Sequence, residues 1–544
     1  MANIGQKEGL TVEFKSDVKK LSDAEIVEAV VAFANSDGGE LYIGVEDDGS
    51  VSGVHPDHRD VARAAAMIAN KTVPPVAVAT ELRRVDGAEC QVVRVPRSAA
   101  VVATASGRMV RRRLKADGTP ENVPMYPFEI THRLSGLKQF DLTSEAVPGA
   151  TRADLDPLER ERLRGVVRVN RGEAGLLDLD DEELDLSLRL ARTVMGEVVP
   201  TYAGLLLIGR ADRLAELVPT ADAAVQIRAG TQLRVNDGFV RPVLASIEAV
   251  AGYFRSWNRE SETEVGLVRV PIPTIDPTAF REALVNAFAH RDYSLMGRVR
   301  VRLDDEGATF SNPGGFVEGL SADNLLQAEP QGRNPALADA LKRIGLAERA
   351  GRGVDRIFAG SLAYGRLLPD YHASNPKTVN LFIPSGPADL GFMELVRTAE
   401  RRRESGFSVI QLMILHGLRH SASLALADLA ELIGDATRAT AAVDSLVAEG
   451  LVDASRSRYR LAGTAAPSRR PARPGAGPAQ ARQAVLALAA QGAVTRAQAG
   501  AATDLNPDQA YRLLRRLAAE GLLRREGRGR SAAYRLTEAE TAGT

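Results

Sequence analysis

The chain has 544 residues, 44% apolar and 26% charged, with a net charge of -1, which is enough to bury roughly three to five domain cores. Its one cysteine, Cys90, excludes an intrachain disulfide and a single-chain cysteine zinc cluster, and fits a reducing, cytoplasmic setting. The opening residues carry no apolar segment with a cleavage site, and the strongly apolar stretch Gly204 to Ile208 is too short to span a bilayer, so neither secretion nor a membrane partner is expected.

Along the chain, residues 22–35 carry apolar side chains at helical spacing, DGGE makes a turn, and LYIGVEDDG reads as a buried strand ending in an acidic turn. These elements open an α/β domain over residues 1–138. Within it, Arg108, Arg111, Arg112, Arg113 and Lys115 can form a cationic surface for phosphates, the plainer alternative being a solvated charged face. Residues 139–270 read as a helical and strand-bearing connecting region, in which TYAGLLLIGR and AAVQIRAG supply strands. A second α/β unit over 271–390 contains the helix AFREALVNAFAHRD and the strands of VRVRLDDEGATFSNPGGF.

Beyond residue 395 the pattern changes to short helices, each set ending in EGL and a basic hairpin, and it occurs twice, over 395–463 and 481–540. The proline- and glycine-rich stretch between them, 464–480, reads as a flexible linker. From Ala465 to Thr544 there are 13 arginines, no lysine and 6 acidic residues, a surplus of seven positive charges hidden by the neutral whole.

Chemistry concentrates in the middle. Glu282, Asn286 and His290 are four apart, so a helix sets them along one face. An asparagine oxygen there can ligate Mg²⁺ and a nearby carboxylate can orient or deprotonate water. An ordinary amphipathic helix with solvated polar positions is the competing reading. Next come Asn312-Pro313-Gly314-Gly315-Phe316, then Arg333-Asn334-Pro335, then Gly351-Arg352-Gly353, whose glycines permit close approach of backbone to a ligand. No GxxxxGK[ST] phosphate loop is present, which disfavours an ordinary helicase motor.

This ordered set resembles the GHKL ATPase superfamily, in the branch of bacterial proteins that join an Alba-like Schlafen domain to a histidine-kinase-like ATPase domain. The resemblance implies a divergent Bergerat-type ATP site. Glu282 becomes the catalytic acid and Asn286 the magnesium ligand, Asn312, Gly314 and Gly315 the first glycine box, and Gly351 and Gly353 the second. His290, Arg333 and Asn334 join the nucleotide contacts. One departure stands out: most GHKL proteins carry an aspartate where Asn312 stands, to accept a hydrogen bond from the adenine amino group.

EGLTVEFKSD followed by AEIVEAVVAFANSDGGELYIGVEDDGSVSGV resembles the Schlafen Alba-like domain. Some Schlafen domains are RNases built on three acidic residues, which here would be Glu8, Glu13 and Asp47 holding a divalent metal. The last unit is similar to a winged helix-turn-helix. Its third helix would place Gln509, Arg512, Arg515 and Arg516 in a DNA groove, and its wing would set Arg528 and Arg530 on the backbone.

The expected fold is therefore multidomain, α/β plus α+β: a Schlafen Alba-like domain, a GHKL-type domain and two winged helices. The expected function is an ATP- and Mg²⁺-binding regulator, transcriptional in role, with DNA rather than RNA as partner and a homo-oligomeric state matching palindromic sites. A Schlafen-like nuclease gated by the ATPase domain is the alternative, and a central domain serving only as scaffold is a third.

Overall fold

The computed structural model describes every residue except 1–3, 5–6, 86, 116, 266–267, 330, 349–351, 404, 456, 464–477, 504, 506, 527–532 and 538–544. It divides into two units, residues 1–140 and 141–544.

In the first unit, strand β1 (Val12–Lys15) lies parallel to β2 (Gly39–Ile43), with Glu13 beside Leu41. Helix α1 (Asp23–Ala34) connects them. Ser22 caps it, accepting from the Glu25 amide while the Glu25 carboxylate reaches back to the Ser22 amide. Its buried side, from Ile26 to Ala34, supplies the centre of a core shared with Leu41, Ile43, Val93 and Val95. Helix α2 (Val61–Lys71) and the hairpin β3 (Ala79–Val85) and β4 (Ala88–Val95) complete a four-stranded sheet in the order β1-β2-β4-β3.

A second hairpin, β5 (Val110–Leu114) and β6 (Pro120–Pro124), is fastened to this layer by Arg112. Its guanidinium donates to Gly9 O and Val12 O at 2.9 Å each, to Glu13 Oε2 at 2.5 Å and to Asn122 Oδ1 at 3.0 Å, and lies 4.6 Å from the Phe33 ring centre. Strand alternation explains it: residues 110 and 112 point inward, 111 and 113 outward. Arg112 therefore leaves the cationic surface expected from sequence and becomes part of the interior.

The second unit is organised around one core running from Val147 to Ile383. Helices α3 (Pro157–Asn170) and α4 (Tyr202–Ile208) lead into strands β7 (Asp222–Ala229) and β8 (Gln232–Val240) and helix α5 (Val243–Trp257). AAVQIRAG is thus a strand as expected, whereas TYAGLLLIGR is a helix, started by Thr201, whose side chain accepts from the Gly204 amide. Then follow α6 (Pro277–Ala289), β9 (Arg298–Asp304), β10 (Gly307–Pro313), α7 (Pro335–Arg343), α8 (Gly353–Leu362) and β11 (Thr378–Pro384). The five strands form one sheet, β8-β7-β9-β10-β11, in which β7 and β9 run parallel. The boundary expected at residue 270 thus runs through a continuous sheet. Phe254 of α5 stacks on Phe280 of α6 with ring centres 3.7 Å apart, and Phe280 in turn meets Phe310 of β10 at 5.1 Å, joining both helices to the inner face.

The repeat seen in sequence becomes two modules of the same element order. The first has helices α9 (Val409–Arg419), α10 (Leu426–Ile433) and α11 (Ala436–Ala448) and the hairpin β12 (Val452–Ser455) and β13 (Arg458–Leu461). The second has α12 (Pro478–Gln491), α13 (Arg496–Thr503) and α14 (Pro507–Ala519) with β14 (Leu523–Glu526) and β15 (Ala533–Leu536). The EGL signature marks the end of each third helix, where Gly450 (φ +71°) and Gly521 (φ +76°) take the left-handed turn that releases the chain into the hairpin. Each module has its own core. Among the described residues no helix is long and apolar enough to cross a membrane.

Removing the Arg112 guanidinium leaves the buried Glu13 carboxylate with Lys15 as its remaining charged partner and uncaps the carbonyls of Gly9 and Val12. Arg112→Ala should therefore destabilise the first unit by about 3–5 kcal/mol. Amide exchange in the full chain should show lost protection across residues 12–43 and 110–124, with the second unit unchanged.

Candidate functional site

Helix α6 is started by Asp276, whose carboxylate accepts from the Ala279 amide at 2.9 Å, with Pro277 at the first helical position. Its spacing then does what the sequence predicts: Glu282, Asn286 and His290 line one cavity of about 210 Å³. Opposite them stand Phe310 and Asn312 of β10 and Val379 and Leu381 of β11. Phe316, Val317 and Leu320 also line it, and Lys342 of α7, Glu348 and Gly353 stand at its charged side.

Glu282 is 1% exposed, yet its Oε1 accepts from Arg356 Nη1 at 3.1 Å, and Arg356 also pairs with Glu348. A Cβ at residue 353 would lie 3.3 Å from Glu282 Oε2 and 3.4 Å from Asn286 Nδ2, so glycine lets the start of α8 come down onto this pair. His290 is shifted by burial first, then by Lys342 and Arg333, so that its imidazolium pKa is pushed down to about 4 and the ring is neutral at pH 7. Asn312 is 4% exposed, and its Nδ2 is buried with no hydrogen-bond partner among the described residues. Such a donor costs about 1–3 kcal/mol when left unmade, which marks the cavity as a place for a ligand.

Three residues assigned to the nucleotide stand behind the wall. Arg333 pairs with Asp292 at 3.1 Å and donates to Gly315 O at 3.2 Å. The Asn334 amide donates to Ala289 O at 2.9 Å and Arg291 O at 2.6 Å. Gly314 has φ +92°, and a Cβ there would meet Asp292 Cβ at 2.7 Å. All three brace the turn that leaves α6, so they shape the cavity without facing it. Gly315 does line it. Gly351 lies outside the described residues.

Sequence reasoning missed Lys342, Glu348, Phe316 and Tyr371, all in the lining. A signal existed for one of them, since Ala338 and Lys342, four apart on α7, both face the cavity.

In the first unit the acidic trio is not gathered. Glu13 is held by Arg112 and by Lys15 at 2.9 Å, Glu8 accepts from the Phe14 amide at 2.8 Å, and Asp47 is exposed in the turn past β2. Among the described residues no group of three His, Cys, Asp or Glu is placed to hold a metal ion. Of the cations, Arg108 pairs with Glu28 at 2.7 Å, Arg113 with Glu121 at 2.7 Å and Arg111 with Glu129, while Lys115 is exposed.

At the other end, Arg515 of α14 lies 3.5 Å from the ring centre of Phe382 on β11, Tyr511 lies near the same ring at 6.4 Å, and Arg525 pairs with Glu306. Arg515 is therefore turned onto the central sheet rather than free for a groove, and Arg516 is exposed. Gln509 and Arg512 are on the helix but their side chains lie outside the described set, as do Arg528 and Arg530 altogether.

Three family models match the chain: "Schlafen, AlbA_2" over residues 8–118, "Domain of unknown function (DUF8451)" over 134–223, and "Putative ATP-dependent DNA helicase recG C-terminal" over 297–383. The chain thus joins a Schlafen AlbA_2 domain to a recG-like ATPase domain. The third match takes in the sheet wall of the cavity but not α6, which precedes it. Among solved structures, the DIP2311 protein of Corynebacterium diphtheriae matches with a TM-score of 0.50 at 22% identity, over 83% of this chain and 92% of that one, a likeness of fold.

With its folded pKa near 4 against 6.5 unfolded, His290 contributes stability that is complete above about pH 6.5 and lost as pH falls toward 4. The full loss is on the order of 3 kcal/mol. Thermal melts between pH 7.5 and 4.5 should show a smaller acid-induced drop for His290→Gln than for wild type, and the His290 ring should titrate by NMR near pH 4.

Proposed function

We propose that the chain is an ATP-binding regulator of nucleic-acid occupancy, transcriptional in role, with a divergent GHKL-type site in the cavity beside α6 and winged helices in the two C-terminal modules. The observation that carries this reading is the two-sidedness of β11. Val379 and Leu381 face the cavity, whereas Phe382 points to the opposite face and receives Tyr511 and Arg515 of the last module.

The cavity suits the base and sugar of a nucleotide. At about 210 Å³ it falls below the span of roughly 300–1,000 Å³ usual for drug-sized sites, so the phosphates belong at the charged side near Lys342, Glu348 and the start of α8. A bound Mg²⁺ would draw charge from the phosphates and keep most of its water shell, needing one or two protein oxygens. Asn286 supplies one, and Glu282 is the carboxylate placed to accept a proton from water. Glu282 and Asn286 meet α8 at Gly353, so a ligand that orders this corner would press on α8, which packs against α6 and α9.

Coupling follows if ATP binds unequally to the forms in which α14 is docked on Phe382 and released from it. Release frees Arg515 for phosphate. The first C-terminal module, with its own core continuous with Leu362 of α8 and Phe392, serves as a relay and dimerisation element in this scheme.

Two substitutions test the reading. Asn286→Ala should weaken Mg²⁺-dependent ATP binding at least about tenfold, measured by calorimetry. Phe382→Ala should raise DNA affinity without nucleotide and flatten its response to ATP, measured by fluorescence anisotropy. An ATP-binding wild type whose nucleic-acid affinity ignores ATP would sink the coupling.

A further inference from the structure

Asn312 stands on β10 opposite Val379 of β11, on the inward face it shares with Phe310. The apolar lining of the cavity includes Phe310, Phe316, Val379 and Leu381, whereas its charged lining residues, Glu282, Glu329, Lys342 and Glu348, come from elements other than β10 and β11. A purine base belongs against the apolar part, with Asn312 at its edge. The amide nitrogen is buried without a hydrogen-bond partner among the described residues, so no hydrogen bond from them anchors it.

We propose that Asn312 makes the cavity indifferent to the substituent at purine position 6, so that adenine and 6-oxopurine nucleotides bind with similar affinity. The proposal rests on the nucleotide reading of this cavity and deepens it. A primary amide carries both a donor and an acceptor, and turning it end over end exchanges them. Facing adenine, it accepts from the 6-amino group and donates to a ring nitrogen. Facing hypoxanthine or guanine, it donates to the 6-oxo group and accepts from N1–H. A carboxylate in the same place only accepts, so it would favour the 6-amino base. Sites that anchor a polar group in one orientation reject the mismatched ligand strongly, because a buried group is left unpaired. An unanchored amide removes that penalty.

The test is calorimetric binding of ATP and ITP to the full chain with Mg²⁺, because these ligands differ only at position 6 and in the N1 proton. Wild type should bind the two within about threefold of each other, and Asn312→Asp should keep ATP while losing ITP by at least about tenfold. Asn312→Thr, whose hydroxyl is also donor and acceptor, should retain the indifference and guards against a folding defect in the aspartate variant. A wild type that separates ATP from ITP by more than about thirtyfold, or an aspartate variant with an unmoved ratio, overturns the proposal while leaving nucleotide binding intact. Failure of wild type to bind either nucleotide overturns the nucleotide reading itself, and this proposal with it.

Discussion

The buried ion pair between Asp292 and Arg333, whose side chains are 2% and 3% exposed, fixes how far α6 stands from the sheet. Asp292 also donates its amide to Pro313 O and holds Ser294 through its carboxylate, while Arg333 reaches Gly315 O. The end of the helix, the glycine turn after β10 and the approach to α7 thus meet at one charged knot. Two charges in a dry interior are expensive unless every lone pair finds a donor, and losing either partner of such a pair typically costs about 3–5 kcal/mol. The arrangement therefore resists small displacements, which is what a cavity between one helix and one sheet needs if its walls are to stay in register.

In the proposed coupling, ligand energy would be spent at β11 and its neighbours. The contact of Arg515 with Phe382 is a cation–π pair worth about 2 kcal/mol when desolvated. Were a nucleotide to bind the released form alone, ligand at a hundred times its dissociation constant would supply about 2.7 kcal/mol, comparable with this one contact. A weaker preference would supply correspondingly less.

Much of this was legible before any coordinates. The four-residue spacing of Glu282, Asn286 and His290 places them on one cavity wall, because helical periodicity is local and needs no partner to be read. The EGL repeat marks two modules for the same reason, a glycine turn being a local conformational demand. What escaped depends on partners distant in sequence. Arg112 looks like a surface cation until β5 pairs with β6 and its alternation turns the side chain toward Glu13, 99 residues earlier. Arg333 and Asn334 look like ligand contacts until the carbonyls of residues 289 and 291 claim the amide. Strands β7 and β8 look like a connection until β7 runs parallel to β9. In each case the residue type was informative and its partner was not.

The cations of the first unit follow the same logic of partners. Arg108 and Arg113 are roughly half exposed and paired with surface glutamates, and such pairs contribute about 0–1 kcal/mol. A phosphate can replace Glu28 or Glu121 at little cost, and released counterions then favour the exchange at low salt. Arg112 cannot take part, because its five-donor fork is already spent on backbone carbonyls, Glu13 and Asn122 inside the fold. A cluster of five positive side chains in sequence is thus a smaller electrostatic footprint in space. Any contribution of this face to nucleic-acid affinity would come from the side chains whose partners are weak enough to be exchanged, and it would depend strongly on salt.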